Sequence, residues 1–434
     1  MALLNRKTTT VLMFLLLPVM AKAQDSTTIR QYIGALTARN MAGRGYVGRG
    51  MQKAAAYIAD VFATDSLRSF GNSFVQPFSY PVNTFPGVVN VRVNDKTLQP
   101  CSQFLVSPAS NGTQVEDKKI KVLDLLSLTA KSKDSTAFVK KLQSKTGKQK
   151  YAWYLANSDS VCKLYGWRQR YFATLLPGGT MLLPHKAKAI WSVAREPVAA
   201  AIIDLYDTTL QIGKKDLLSA TVINQYQPKF KADNVIAYVP GTAMPDSFVV
   251  LAAHYDHLGK MGSKAMFPGA SDNASGTAML LALAQWYAQH PAKYSIAFMA
   301  FAGEEAGLLG SDYYTNHPLF PLEKIKFLIN IDIMGDATDG IAVVNGAQLT
   351  GAFNLLKSIN DQHQFVPSLT AGGPAANSDH YHFTEKGVPA FFLFSKGGKG
   401  YYHDVWDNAE SLSLKNIPAT AHLIKAFIAA LHQL

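Results

Sequence analysis

From residue 234 onward, short and almost wholly apolar runs alternate with stretches of helical character. Residues 248–253, 295–301, 327–331 and 388–394 are strand-length runs with hardly a polar interruption, as expected of strands covered on both faces. Between the first two, residues 276–290 read as a helix ended by Pro291, and residues 418–431 read as an amphipathic helix that closes the chain. This alternation predicts an α/β fold: a mostly parallel, mixed central sheet flanked by helices on both faces.

Earlier in the chain the pattern differs. Residues 29–39 and 52–64 read as helices, the second with Ala54, Tyr57, Ile58, Val61 and Phe62 at helical spacing. The glycine-rich loop between them, 41–50, contains Gly43-x-Gly45-x-x-Gly48. That spelling matches a dinucleotide fingerprint, which requires a strand before it. Here a helix precedes it, so the nucleotide reading fails. From about 86 to 233, lysine-rich stretches alternate with short apolar runs such as 120–126 and 198–205. This region reads as an inserted, smaller α+β domain. The expected division is a leader at 1–23, the first part of the catalytic domain at 24–85, the insertion at 86–233 and the main catalytic domain at 234–434.

Composition agrees with a folded enzyme: 434 residues, 48% hydrophobic and 17% charged, enough for a sizeable core. The first residues stand apart. Arg6 and Lys7 precede a short apolar run at 11–20, and Ala21-Lys22-Ala23 has the small-x-small form of a cleavage site. The segment reads as a secretory signal peptide cut before Gln24, too short in its apolar part to span a bilayer. No later segment reaches spanning length, so the mature chain is expected to lack a membrane span and to be exported, to the periplasm or the cell exterior. Removing Arg6, Lys7 and Lys22 lowers the net charge from +12 to +9, and ten lysines between Lys118 and Lys150 make the excess local. With no nucleic-acid recognition pattern beside them, they read as a solvated face. Cys101 and Cys162 can pair in an oxidising compartment, but two cysteines cannot build a Cys-x-x-Cys zinc site. A metal site must therefore use histidines and carboxylates.

The ionisable residues fall where such a site needs them. Three apolar runs end in His254-Tyr255-Asp256-His257, in Gly303-Glu304-Glu305 and in Asp332, and ligands of open α/β sheets bind beyond the carboxyl ends of the strands. Asp272, in the loop 269–276 before a helix, would alone be read as a helix cap. Beside the other three it is read as a ligand. His254 and Asp256 alternate onto one face, which gives His254 to metal and Asp256 to the second ring hydrogen. His257 points the other way and is left unassigned. Glu304 and Glu305 point in different directions, so one can bind metal while the other serves as general base. A further imidazole comes from His380, His382 or His403, and spacing does not choose among them.

Taken in order, Ala253-His254-Tyr255-Asp256-His257, the loop 269–276, the stretch 303–311, Asn330-Ile331-Asp332, Ser378-Asp379-His380 and Tyr402-His403 resemble the M28 family of co-catalytic zinc peptidases. Met41-Ala42-Gly43-Arg44-Gly45 is similar to that family's amino-terminal glycine-rich segment. The resemblance implies two zinc ions: His254 and Asp332 hold one, Glu305 and His403 the other, and Asp272 bridges them. It implies Glu304 as the general base on a metal-bound water, and Tyr402 as a group that stabilises the oxyanion. The implied substrate is a peptide with a free amino terminus, and the insertion stands where many relatives carry a protease-associated domain. The family also includes carboxypeptidases, dipeptidases and glutaminyl cyclases. A single-zinc glutaminyl cyclase-like acyltransferase is the alternative, and a non-catalytic binding relative a further one.

Overall fold

The apolar runs form the centre of an eight-stranded sheet. The computed structural model describes residues 17–146, 151–168, 170–175 and 178–433; residues 1–16, and with them most of the expected leader, lie outside the described residues. Across the sheet the strands run Val75–Thr84, Gln225–Val239, Tyr294–Phe301, Met244–His254, Ile325–Ile331, Ala390–Lys396, Gly340–Val344 and Leu369–Ala371. The middle four are parallel to one another, in registers such as Leu251 with Phe298 and Ile329 with Phe391. Antiparallel pairs on either side make the sheet mixed.

The period of two along each strand separates two cores. Val249, Leu251, Ala253, Ile296, Phe298, Ala300, Phe327 and Ile329 pack with residues of the helices Leu17–Leu36, Gly50–Thr64, Gly276–Gln289 and Ile417–Ala430. Val250, Ala252, Ala297, Met299, Phe301 and Leu328 face the other way, onto Tyr314 and Phe383 of the helices Leu309–Asn316 and His380–Glu385. A strand buried on both faces has no polar side to show, which is why Tyr294–Phe301 is buried at every position.

The insertion begins after Val75–Thr84 and ends before Gln225–Val239, two strands that pair from Val75–Val235 to Thr84–Gln225. The expected carboxyl boundary at 233 therefore moves forward, because 225–233 already belong to the main sheet. Between the two crossings lies a second eight-stranded sheet, antiparallel at both sides and parallel through Thr113–Asp124, Ala152–Ala156, Gly179–Pro184 and Ala200–Leu205. The insertion is not free-standing. Its core residues Phe85, Val106 and Trp191 share a cluster with Leu258, Met261, Ala265 and Phe267 of the catalytic domain. Cys101 and Cys162 are free thiols, so the pairing open to them is not formed. Among the described residues, no helix is long and apolar enough to cross a membrane.

Candidate metal centre

The three strand ends meet. His254 closes its strand and is 1% exposed; its Nε2 stands 3.3 Å from Asp332 Oδ1, 3.4 Å from Asp272 Oδ1 and 4.0 Å from Glu304 Oε2. Asp272 turns its other oxygen, Oδ2, to His403 Nε2 at 3.1 Å, and His403 Nε2 is also 3.1 Å from Glu305 Oε2. Asp272 thus faces two histidines from different parts of the chain. It does not cap the following helix. Asn273 ties the turn before that helix to the next strand end: its Oδ1 accepts from the Gly276 amide at 2.9 Å and from the Ile333 amide at 3.2 Å, while its Nδ2 donates to Ile331 O. The Asp272–Asn273 peptide is cis.

Of the three candidate imidazoles, only His403 reaches this cluster. His380 is buried against Phe392, with burial lowering it to about 4. His382 lies near Asp312, 3.8 Å away. Tyr402 stacks on the His403 ring at 3.9 Å between centroids and is 44% exposed, so it borders the open side of the site.

Two expectations change in detail. His254 Nδ1 donates to the main-chain carbonyl of Asp256 at 3.1 Å, with the Asp256 carboxylate farther away at 3.7 Å. That carboxylate instead accepts from the amides of Glu304, at 3.1 Å, and Glu305, at 3.4 Å, and so fixes the turn that aims the acid pair. Alternation failed here because the strand ends at His254 and the next residues leave its geometry. For the same reason His257, left unassigned, turns back into the site: its Nδ1 is 2.6 Å from Glu305 Oε1. His257 is wholly buried, and its Nε2 has no hydrogen-bond partner.

Other supports come from far along the chain. Ser378 Oγ donates to Asp332 Oδ2 at 2.8 Å. Asp407, buried, accepts from the amides of Ser271 and Asp272 at 2.8 and 3.1 Å. Arg44 is completely buried and donates to the carbonyls of Tyr255, Pro268 and Gly269 at 2.8, 2.7 and 2.6 Å. The glycines around it permit this approach, since a Cβ at Gly45 would stand 2.4 Å from Gly259 Cα. The run 43–48 is therefore a packing device. Its sequence signal was visible, but its partner was not.

The electrostatics divide the acid pair. Burial raises Glu304 well above the usual carboxylate range, and neighbouring Glu305, Asp332 and Asp379 push the same way against the pull of His254. Burial acts on Glu305 too, but the His403 and His257 rings beside it hold it down at about 2. Burial would lower His403, yet Glu305 and Asp272 raise it to about 11. Asp379, buried beside this group, is pushed up to about 7 by burial.

The donor set fits zinc. His254, Asp272 and Asp332 form one group and His257, Asp272 and Glu305 another, each offering one ligand atom per residue within 4.8 Å of the others. Imidazoles and carboxylates, nearly dry and sharing one acid, suit that ion. Beside the second group stands His403, whose Nε2 is 3.1 Å from Asp272 Oδ2 and 3.1 Å from Glu305 Oε2. Its Nδ1 donates to Trp191 O at 3.0 Å, so Nε2 is the ring atom turned to Asp272 and Glu305, whereas His257 turns its Nδ1 to Glu305.

Comparison with known proteins agrees with this geometry. Residues 234–428 match the model of peptidase family M28. Aminopeptidase YwaD of Bacillus subtilis is 31% identical over 195 residues, covering 42% of this chain and 41% of that protein. A probable leucine aminopeptidase of Arthroderma otae is 28% identical over 238 residues, covering 51% and 63%. The chain thus spans less than two thirds of the curated relatives it matches. Two solved structures share the fold: an M28 peptidase precursor from Shewanella amazonensis, with a TM-score of 0.65 at 15% identity over 94% of this chain and 97% of that one, and a zinc aminopeptidase from Bacillus subtilis, with 0.63 at 16% identity over 93% of each. The spacing of the chemistry and its convergence at the carboxyl ends of parallel strands agree with the match of residues 234–428 to peptidase family M28.

Proposed function

We propose that the protein is a two-zinc aminopeptidase that hydrolyses the first peptide bond of substrates with a free amino terminus. The observation that carries this reading is the double exposure of Asp272, one oxygen toward His254 and the other toward His403. His254 and Asp332 would hold one ion, His403 and Glu305 the other, and Asp272 both. Zinc bound there would supply Lewis-acid polarisation of the scissile carbonyl and acidify the attacking water.

The chain's own groups do the rest. Glu304, whose carboxyl burial holds well above the usual carboxylate range, takes the proton of the attacking water and delivers it to the leaving amine. Tyr402 stays protonated, because burial and the surrounding acids push its hydroxyl up, and so can donate a hydrogen bond to the oxyanion. A cleft of about 150 Å³ beside Asp272, bordered by Ile333, Tyr402 and Leu412, would receive the side chain of the released residue. The concentration of carboxylates around it favours a cationic amine over a blocked one.

Peptides with free and acetylated amino termini, assayed with and without a chelator, test the proposal. Cleavage of the free peptide alone, lost on chelation and restored by zinc, is the expected result. Cyclisation of a glutaminyl peptide without hydrolysis would replace this reading with that of an acyltransferase.

A further inference from the structure

We infer that the inserted domain is part of the metal-binding site, because its Trp191 holds the His403 ring in the ligating orientation. The inference rests on the proposed zinc function for what His403 binds, and on geometry alone for how it is held.

His403 lies in an irregular loop with a positive φ of 53°. Trp191 grips it twice: His403 Nδ1 donates to Trp191 O at 3.0 Å, and the Trp191 amide donates to His403 O at 3.0 Å. The first bond sets the tautomer that leaves Nε2 free to face Asp272 and Glu305. Trp191 is itself fixed. It is 5% exposed, its Nε1 donates to Val106 O at 2.8 Å, and its indole stacks on Phe267 at 4.9 Å and 18°. Val106 belongs to the inserted sheet and Phe267 to the catalytic domain's hairpin, so the indole is wedged between the two domains at the point where it meets the site.

The same segment braces the loop a second time. Lys188 pairs with Asp404 and donates to Gly400 O at 3.3 Å. Asp404 accepts from the amides of Trp406 and Asp407, and Asp407 accepts from that of Asp272. Residues 188–191 therefore reach two of the three proposed ligands of the second position, His403 directly and Asp272 through the loop. The insertion is a positioning element rather than an appendage.

Trp191→Ala, Trp191→Phe and Lys188→Ala test this in the full chain. In the chelated protein, amide exchange across 400–407 should quicken in Trp191→Ala and Lys188→Ala. On zinc titration by calorimetry, the first equivalent should bind Trp191→Ala as it binds the parent, while the second loses about 10–100-fold in affinity. Trp191→Phe, which keeps the stacking, should recover most of that loss. Lys188→Ala, at a half-exposed position, gives a smaller loss of the same equivalent and decides the matter if Trp191→Ala does not fold. Unaltered exchange at 400–407 in both alanine variants, or two equivalents binding them as in the parent, would overturn the inference. A parent that takes up no zinc would defeat the metal reading, and the exchange measurement would still decide whether Trp191 braces the loop.

Discussion

Replacing Glu304 by glutamine is expected to lower kcat by about 10²–10⁴-fold, the range of general acid–base contributions, with zinc content and thermal stability held near those of the parent. Glutamine keeps the shape and removes only the proton acceptor. The effect should fall on kcat and not on KM, because Glu304 sits beside the proposed ligands without being one, 4.0 Å from His254 Nε2. Its neighbour gives the contrast. Glu305 is held by His257 and His403, so Glu305→Gln should lose metal as well as turnover. Steady-state kinetics with zinc analysis on both variants separates the roles, and a Glu304→Gln protein as active as the parent would remove Glu304 from the mechanism.

Arg44→Leu is expected to cost at least about 3 kcal/mol of stability, taking roughly 1 kcal/mol for each of three short hydrogen bonds left unmade. The guanidinium is buried completely, and burial lowers it to about 10, still cationic at neutral pH. Its donors end on main-chain carbonyls of 255, 268 and 269, the two loops that carry His254 and Asp272. The acids Asp407, Asp272, Asp256 and Glu305 answer its charge from farther away. Leucine would strand those carbonyls and leave the acids uncompensated. Lysine should rescue little, since one ammonium cannot reproduce the planar fork. Denaturant unfolding reads the loss, and a change under about 1 kcal/mol would show that the loops hold without Arg44.

The parts of the site legible in the sequence were those set by local chain geometry. His254, Glu305 and Asp332 stand at the ends of apolar runs, and parallel strands deliver their carboxyl ends to one edge whatever the rest of the chain does. The core was legible for the same reason, since alternation assigns Leu251 and Ala252 to opposite faces. What stayed hidden depends on contacts between distant segments. His403 lies in a loop with no periodicity, and spacing could not rank it above His380 or His382; only the family resemblance singled it out. The partner of His257 could not be read because alternation stops where the strand stops. Trp191 and Arg44 act through main-chain atoms more than 200 residues away, contacts that leave no pattern in the sequence near either end. Gly43 to Gly48 did leave one, and the preceding helix was enough to reject a nucleotide. That the loop instead packs against Gly259 and Phe267 needed the structure.

In the proposed centre Asp272 serves two ions at once. Native mass spectrometry of the zinc-loaded, dialysed chain measures this directly: two zinc ions per parent chain, and fewer than two in Asp272→Ala, are predicted. A single ion in a fully active parent would contradict the bridging role of Asp272 and the two-metal mechanism built on it.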